Sequence, residues 1–251
     1  TVAGTMTVQS GSTYAVAANS TTVTGASDIN GILTISSGGT YDANAAFDAD
    51  GGTVTIDLGG TLFLGNTITE FGNLTNNGTL HLDGSSAQTI PGNTTKAAEV
   101  LCEVGGTLEI SGDDKTCETD GTDFQLKGNL TFSGATDLII DNTSSTTLTL
   151  FSGTTFTGAA DDRHIIGPLG TDVSVRYSLN SSSASKELPI GPNGSLRSIT
   201  IAPTASTTTV YTAQYKVGIP SGATIDYTNH YCGMPTSSNS GLKTINNDYH
   251  Y

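Results

Sequence analysis

One short motif recurs along the chain: a glycine, a polar residue and then alternating apolar positions. It occurs as "GGTLFLGN" from Gly59, "NGTLHLDG" from Asn77, "GGTLEISG" from Gly105 and "GNLTFSGA" from Gly128. The corresponding glycines, 60, 78, 106 and 128, are 18, 28 and 22 residues apart. Alternation with a period of two is typical of a strand with one buried face. Glycine supplies the backbone conformations that tight corners need, so each copy predicts one corner and one strand.

A repeat of roughly 20 to 30 residues without a helical pattern predicts the coils of a parallel β-solenoid. Thr13-Tyr14 and Thr40-Tyr41, 27 residues apart, are interpreted as part of this repeat. The alternative is an antiparallel β-sandwich, whose strands also recur at short intervals. The glycine precedes its strand in the same sense each time, which favours the solenoid because hairpins reverse the strand direction between neighbours.

Short alternating runs predict the strands of this region. They are Thr5–Val8, Ile32–Ile35, Val54–Leu58, Leu62–Leu64, Leu80–Leu82, Leu108–Ile110, Leu130–Phe132, Leu138–Ile140 and Leu148–Phe151. Gly, Asn or Asp separates nearly all of them, as expected for turns. Threonine is abundant, and rows of threonine on a flat face are one way to match an ordered surface. Its spacing in the sequence is irregular, so we predict no such array.

The composition of the sequence changes near residue 160, where arginine first occurs, proline becomes more frequent and the predicted strands become longer. Val173–Leu179, Leu196–Ile201, Thr209–Val217 and Leu242–Ile245 are predicted strands of a small antiparallel β-sandwich. We therefore predict an all-β chain, with a parallel β-solenoid (β-helix) over residues 1–159 and a β-sandwich module over residues 160–251. The module is expected to be truncated at its C-terminal end, within a fragment of a longer secreted protein.

The net charge of −14, from 23 acidic and 9 basic residues, excludes two classes of partner. Nucleic acids require a basic surface, and anionic membranes repel an acidic chain. No apolar run is long enough to span a bilayer, so we expect no membrane insertion. Acidity of this kind suits solubility outside the cell.

Two of the three cysteines, Cys102 and Cys117, flank a loop rich in turn residues. We predict a disulfide between them, which would fit an extracellular protein. Cys232 is left without a partner. The sequence has no Cys-x-x-Cys pair and no Cys/His cluster, so structural zinc is not expected.

The densest acidic group lies in or beside this loop: Asp113, Asp114, Glu118, Asp120 and Asp123. It is interpreted as a solvated loop, with a calcium site or a pair of catalytic carboxylates as alternatives. A catalytic site on a loop would be poorly held. We predict no catalytic residue, no metal ligand and no cofactor, with calcium as the alternative for this loop.

The histidines and tyrosines complete the candidate residues. His81 alternates with Leu80 and Leu82 and is expected to face outward, and no histidine pair has the spacing of metal ligands. Tyr211 and Tyr215 share one face of a predicted strand, with four further tyrosines late in the chain. They either fill a core or form an exposed aromatic surface for sugars or proteins.

Two features resemble a known class of protein. "GTLHLDGSSAQTIPGN", residues 78–93, is similar to a repeat motif of large cell-surface proteins of Bacteroidota-type bacteria. "DRHIIGPLG", "ELPIGPNGSLRSITI" and "TINNDYHY" resemble the module that often follows those repeats. The resemblance implies a type IX secretion cargo, a long adhesin or gliding-type protein held by outer-membrane secretion and anchoring machinery. The segment from Cys102 to Cys117 departs from the family pattern, and no catalytic residue is carried over.

These observations predict a non-catalytic segment of a secreted cell-surface adhesin or gliding-type protein, with a stiff stalk and a contact module. Its expected location is extracellular, at the cell surface, and its expected partner is an extracellular surface or glycan. The alternatives are a carbohydrate-binding module and a polysaccharide-active β-helix enzyme.

Overall fold

The computed structural model describes residues 1–93, 95–141, 146–169, 171–179, 183–203 and 207–215. Within these ranges the chain forms 26 strands and no helix, so no described segment is a helix suited to crossing a membrane. The first four coils contain β1 (Met6–Val8), β2 (Thr13–Val16), β3 (Ser20–Val23), β4 (Ser27–Ile29), β5 (Ile32–Ile35), β6 (Thr40–Ala43), β7 (Phe47–Asp48), β8 (Thr53–Ile56), β9 (Thr61–Leu64), β10 (Ile68–Glu70), β11 (Asn73–Asn76) and β12 (Thr79–Leu82). The remainder are β13 (Gln88–Ile90), β14 (Ala98–Cys102), β15 (Thr107–Ile110), β16 (Lys115–Cys117), β17 (Asp123–Leu126), β18 (Asn129–Phe132), β19 (Leu138–Ile139), β20 (Thr147–Phe151), β21 (Thr155–Thr157), β22 (Ile165–Ile166), β23 (Val173–Leu179), β24 (Lys186–Leu188), β25 (Ile199–Ile201) and β26 (Thr209–Tyr215).

Each coil contributes one strand to each of three faces. Face 1 contains the sheets β1-β4-β7-β10 and β13-β16-β19-β22, and face 2 contains β2-β5-β8-β11 and β14-β17-β20-β23. Face 3 is one seven-stranded sheet, β3-β6-β9-β12-β15-β18-β21. Neighbouring strands on these faces run parallel, as between β9 and β12 or β5 and β8. The predicted parallel β-solenoid is confirmed, with about seven turns.

The recurring glycine is explained by the close stacking of successive coils. Thr61, Thr79, Thr107 and Asn129 are aligned across face 3, so the intervals of 18, 28 and 22 residues each correspond to one coil. The glycine before each of these strands lies directly on the coil beneath it. A Cβ atom at Gly106 would lie 2.3 Å from Asn76 O, and one at Gly128 would lie 2.1 Å from Gly106 O. Any larger residue would force the two coils apart.

The pairing of Thr13-Tyr14 with Thr40-Tyr41 as one repeat was wrong. Tyr14 lies in β2 on face 2, aligned with Leu33, whereas Tyr41 lies in β6 on face 3, aligned with Thr21. The two rings instead meet edge to face, with centroids 6.4 Å apart. The similarity of the two segments therefore reflects a shared corner composition and not equivalent positions.

The core is formed by the inward residues, which stack on their equivalents in the next coil. On face 3 the stacks include Leu62, Leu80, Leu108 and Leu130, all fully buried. Burying a leucine side chain contributes about 1.5–3 kcal/mol. All nine predicted runs of this region overlap strands, although the run Val54–Leu58 extends past the end of β8 and its Leu58 is exposed. Strands with few apolar residues, such as β4 (Ser27–Ile29), were missed because the pattern there is too short to detect.

The solenoid is irregular between its fourth and fifth coils. There the hydrogen-bonded ladders of faces 1 and 2 stop, after β10 and β11, and restart at β13 and β14, while face 3 continues from β12 to β15. Polar side chains bridge the break: Gln88 Nε2 donates to Leu64 O at 2.9 Å, and Asn93 Nδ2 donates to Gly72 O at 3.0 Å. Asn76 Nδ2 donates to Leu101 O and Thr107 O, each at 2.9 Å. Side-chain amides thus replace part of the missing backbone ladder.

Parallel pairing continues beyond residue 159, because β22 pairs with β19 and β23 pairs with β20. Antiparallel pairing begins with β23–β26 and with the separate pair β24–β25. The antiparallel part of the predicted sandwich is therefore confirmed only in these pairs. The domain division at 159/160 stays a prediction. Residues 216–251, with the predicted strand Leu242–Ile245, lie outside the described residues.

Candidate functional site

The outer surface of face 3 carries two straight rows of side chains. The first row contains Ser20, Thr40, Thr61, Thr79, Thr107, Asn129 and Thr155, and the second contains Thr22, Asp42, Phe63, His81, Glu109, Thr131 and Thr157. Neighbours in a row are separated by one strand spacing, about 4.7–4.9 Å. The expectation that threonine forms no array is corrected here. The sequence spacing is irregular because the corners differ in length, but the strands themselves remain in register.

An aromatic pair lies in the middle of the second row. The rings of Phe63 and His81 have centroids 5.0 Å apart and are tilted by 45°. His81 Nε2 lies 2.8 Å from Ser111 Oγ and 3.9 Å from Glu109 Oε1, which holds the imidazole in place. The prediction that His81 faces outward is confirmed. Phe63 is the one apolar residue of the two rows, and it is half-buried.

The chemistry around the pair is polar and acidic. Asp42 precedes Phe63 in the row, and Glu109 follows His81, so the aromatic pair has a carboxylate at each end. Neither row contains lysine or arginine. In the described part of the chain, the hydroxyls of Thr61 and Thr79 make no side-chain hydrogen bond. They are therefore available to water or to a bound molecule.

A second polar feature lies where the ladders break, at the corner between β13 and β14. Glu99 occupies an inward position of β14, aligned with Phe124 of β17, and it is fully buried. Neither of its carboxylate oxygens has a hydrogen-bond partner among the described residues. Lys96 Nζ lies 3.8 Å from Glu99 Oε2. Burial raises the pKa of Glu99 to about 7; Lys96 and the Asn93 amide oppose the shift, and Glu70 adds to it.

An open groove of about 380 Å³ adjoins this corner and is lined by Asp50, Glu70, Asn93 and Lys96, among others. The pKa of Glu70 is raised, mainly by partial burial and then by the neighbouring charges of Asp50 and Asp48. Lys96 Nζ donates to Gly72 O at 3.1 Å. The chain thus supplies its own cation here, so the arrangement is that of an internal ion pair beside a groove.

The predicted acidic loop is divided between two strands and their corners. Lys115–Cys117 forms β16 and Asp123–Leu126 forms β17. Glu118 Oε2 accepts a hydrogen bond from Gly92 N at 2.7 Å, and Asp114 Oδ1 accepts one from Asp137 N at 2.9 Å. Asp113 and Asp120 are exposed. Several of these carboxylates therefore join neighbouring coils, and they do not converge.

Metal binding gains no support from the geometry. Across the described ranges, no three His, Cys, Asp or Glu side chains are grouped so as to hold a metal ion. Lys115, the one basic residue of the segment 113–123, points inward and is fully buried. Its Nζ donates to Gly84 O at 3.3 Å. Calcium at this loop stays an untested alternative.

The predicted disulfide is not formed: Cys102 and Cys117 are free, buried thiols. Cys102 ends β14 on face 2, whereas Cys117 ends β16 on face 1 of the next coil. Each sulfur takes an inward position in its own strand. Burial raises the pKa of both thiols, so both are poor nucleophiles in the folded protein.

We expect both thiols to be protected from alkylation in the native state. In a Cys232→Ser variant, Ellman's reagent should react slowly with the folded protein and quickly with Cys102 and Cys117 after denaturation. Intact mass under non-reducing conditions gives the second readout. A mass two hydrogens lighter, with no thiol released by denaturant, would contradict the structure.

The other histidine and tyrosine candidates are structural where they are described. His164 is fully buried, and its ring nitrogens lie 3.1 Å from Ala160 O and 3.0 Å from Pro192 O. Tyr211 is buried on the inner side of β26, and Tyr215 is half-buried, so the pair forms no exposed platform. His230, His250, Cys232 and the last four tyrosines lie outside the described residues.

The sequence alone identified His81 but neither its partner Phe63 nor the buried Glu99. Phe63 looked like one more apolar residue of "TLFL", and only its even spacing between Leu62 and Leu64 indicated the outer face. Glu99 lies in "AAEVLC", where the alternation is ambiguous. Comparison of the chain with protein-family models, with curated proteins and with solved structures finds no match to any of them.

Proposed function

We propose that this chain is a non-catalytic stalk segment of a large secreted cell-surface protein, of the adhesin or gliding type. The observation that supports it is the unbroken register of face 3 through seven strands. Each coil buries its apolar face on its neighbours, so stability and stiffness accumulate along the axis. One coil adds about 4.8 Å of length, which makes the number of coils a measure of reach.

The extracellular location and the outer-membrane partners are part of the same proposal. The acidic, lysine-poor composition and the glycine- and threonine-rich coils support exposure to solvent on all sides. The motif around Gln88 also has a physical role, because this buried amide accepts from Gly84 N at 3.0 Å and donates to Leu64 O. The resemblance of this motif to repeats of cell-surface proteins supports type IX secretion and anchoring as the route to the surface.

A spacer tolerates the loss of one whole coil, which gives a direct test. Ile32 and Thr53 occupy equivalent positions on face 2, so deleting residues 32–52 joins Gly31 to Thr53 in register. We expect this variant to fold cooperatively, with its Tm lowered by roughly 2–8 °C. Circular dichroism and scanning calorimetry give the readout.

The matched control deletes residues 32–41 and joins Gly31 to Asp42, which removes β5 and half of β6 and leaves an incomplete coil. This variant should fail to fold, since the strands after the junction can no longer reach the faces on which their partners lie. If the whole-coil deletion unfolds the protein as completely as the half-coil deletion, the coils are not interchangeable spacers. Turnover of any polysaccharide by the intact chain would contradict the non-catalytic role.

A further inference from the structure

The outer surface of face 3 differs from that of a plain spacer in one respect. A large apolar ring, Phe63, projects outward among hydroxyl and carboxylate side chains, and it is stacked on a second ring that is itself fixed. His81 is held between Phe63 and the Ser111 hydroxyl, with only 15% of its side chain exposed. A spacer has no need of an ordered aromatic pair on its water-facing side, where threonine, aspartate or glutamate occupies the same row in the other coils.

The charge of the surface limits what it could bind. Asp42 and Glu109 lie about 14 Å apart along the row, three strand spacings, with the rings between them. They are too far apart to share one cation. With no lysine or arginine in either row, polyanions such as nucleic acids, uronates and sulfated glycans are repelled.

The arrangement of the threonines further limits the kinds of ligand that this surface could bind. In the second to fifth coils the threonine row stands alone, because the adjacent row contains Asp42, Phe63, His81 and Glu109. A regular lattice such as ice would need matching hydroxyls in both rows. A sugar ring needs a different set: an aromatic face for its C–H groups, carboxylates to accept from its hydroxyls, and hydroxyl groups alongside.

We propose that Phe63 and His81, with Asp42, Glu109, Thr61 and Thr79, bind an extended neutral polysaccharide that runs along the solenoid axis. One pyranose ring packs on the exposed face of Phe63. The carboxylates of Asp42 and Glu109 accept hydrogen bonds from sugars on either side, and the two threonine hydroxyls contact the chain from the neighbouring row. Binding of this kind goes beyond the spacer role, since it gives the stalk its own contact surface.

The test is affinity gel electrophoresis of the full chain in gels that contain a soluble neutral polysaccharide. Barley mixed-linkage β-glucan, galactomannan and hydroxyethylcellulose are the probes, with polygalacturonate as the anionic comparison. We expect at least one neutral probe to retard the protein and polygalacturonate to leave its mobility unchanged. Phe63→Ala should weaken the binding roughly tenfold or more, as expected for a central aromatic contact.

The chain offers a matched control in Phe151, which also faces outward but on face 2, in β20. Phe151→Ala should keep the wild-type affinity within about twofold, and Thr61→Val should lose part of it.

Retardation by none of the neutral probes, equal binding by Phe63→Ala, or binding only to polygalacturonate would overturn the proposal. Thermal hysteresis of freezing in place of glycan binding would do the same. The coil-deletion experiment is independent, because a sound spacer with no glycan affinity would pass it.

Discussion

Replacing Gly106 by alanine is expected to lower the free energy of unfolding by about 2–4 kcal/mol. The added Cβ would lie 2.3 Å from Asn76 O and 3.1 Å from the Asn76 carbonyl carbon. These are backbone atoms, so no side-chain rotation relieves the overlap. The fourth and fifth coils must separate locally, which weakens the bond from Thr107 N to Gly78 O, now 2.7 Å. Urea unfolding followed by circular dichroism measures the change.

The control for this substitution is Gly4→Ala. Its new methyl group would have no atom within 4 Å, and the residue has no left-handed conformation, so the variant should match the wild type closely. Gly128→Ala, with a contact of 2.1 Å to Gly106 O, should repeat the loss one coil further along. If Gly106→Ala unfolds at the same urea concentration as Gly4→Ala, the stacking explanation of the recurring glycine is wrong.

Glu99→Leu is expected to stabilise the protein above neutral pH and to remove part of its pH dependence. The pKa of Glu99 is raised from 4.5 to about 7 in the folded state, so the unfolded chain releases this proton at lower pH. Between those values the native state holds more protons, and stability falls as the pH rises. The full effect is about 3 kcal/mol, lost between roughly pH 4.5 and pH 7. Leucine also suits an apolar column that contains Phe124 and Leu148.

The measurement is the free energy of unfolding at pH 4 and pH 8 for the wild type, Glu99→Leu and Glu187→Gln. The last is an exposed carboxylate and should follow the wild type at both pH values. Lys96 loses its ion-pair partner in Glu99→Leu but keeps its bond to Gly72 O and some contact with water. If the advantage of Glu99→Leu is the same at pH 4 and pH 8, Glu99 does not titrate in this range.

The fold class was predictable because corner glycines mark four consecutive strands of face 3. Gly60, Gly78, Gly106 and Gly128 can be read from the sequence, and their unequal spacing is the true length of each coil. The strands were predictable where two apolar residues flank one outward residue, as in Leu62–Leu64 and its equivalents. The failed equivalence of Tyr14 and Tyr41 shows the limit, since similar corners occur on different faces and composition does not distinguish them.

The candidate site was largely hidden from sequence analysis. Thr40, Thr61, Thr79 and Thr107 form a straight row only after corners of different length have been closed, and a linear count shows no period. The cysteines were misassigned for a related reason: Cys102 and Cys117 are close in sequence, but strand β15 of face 3 and its two corners lie between them, so they end on different faces. Glu99 was missed because a carboxylate in an apolar stack breaks the pattern by which inward residues are found.

The break in the ladders of faces 1 and 2 limits which coils can be duplicated or deleted during evolution. Regular coils are joined by backbone amides, which every residue type provides, so copies can be gained or lost by duplication. Between the fourth and fifth coils only face 3 keeps its backbone ladder, and four particular side chains supply further connections: Asn76, Gln88, Asn93 and Lys96. That junction cannot be replaced by a neighbouring coil, and it sets a fixed reference point in an otherwise modular array.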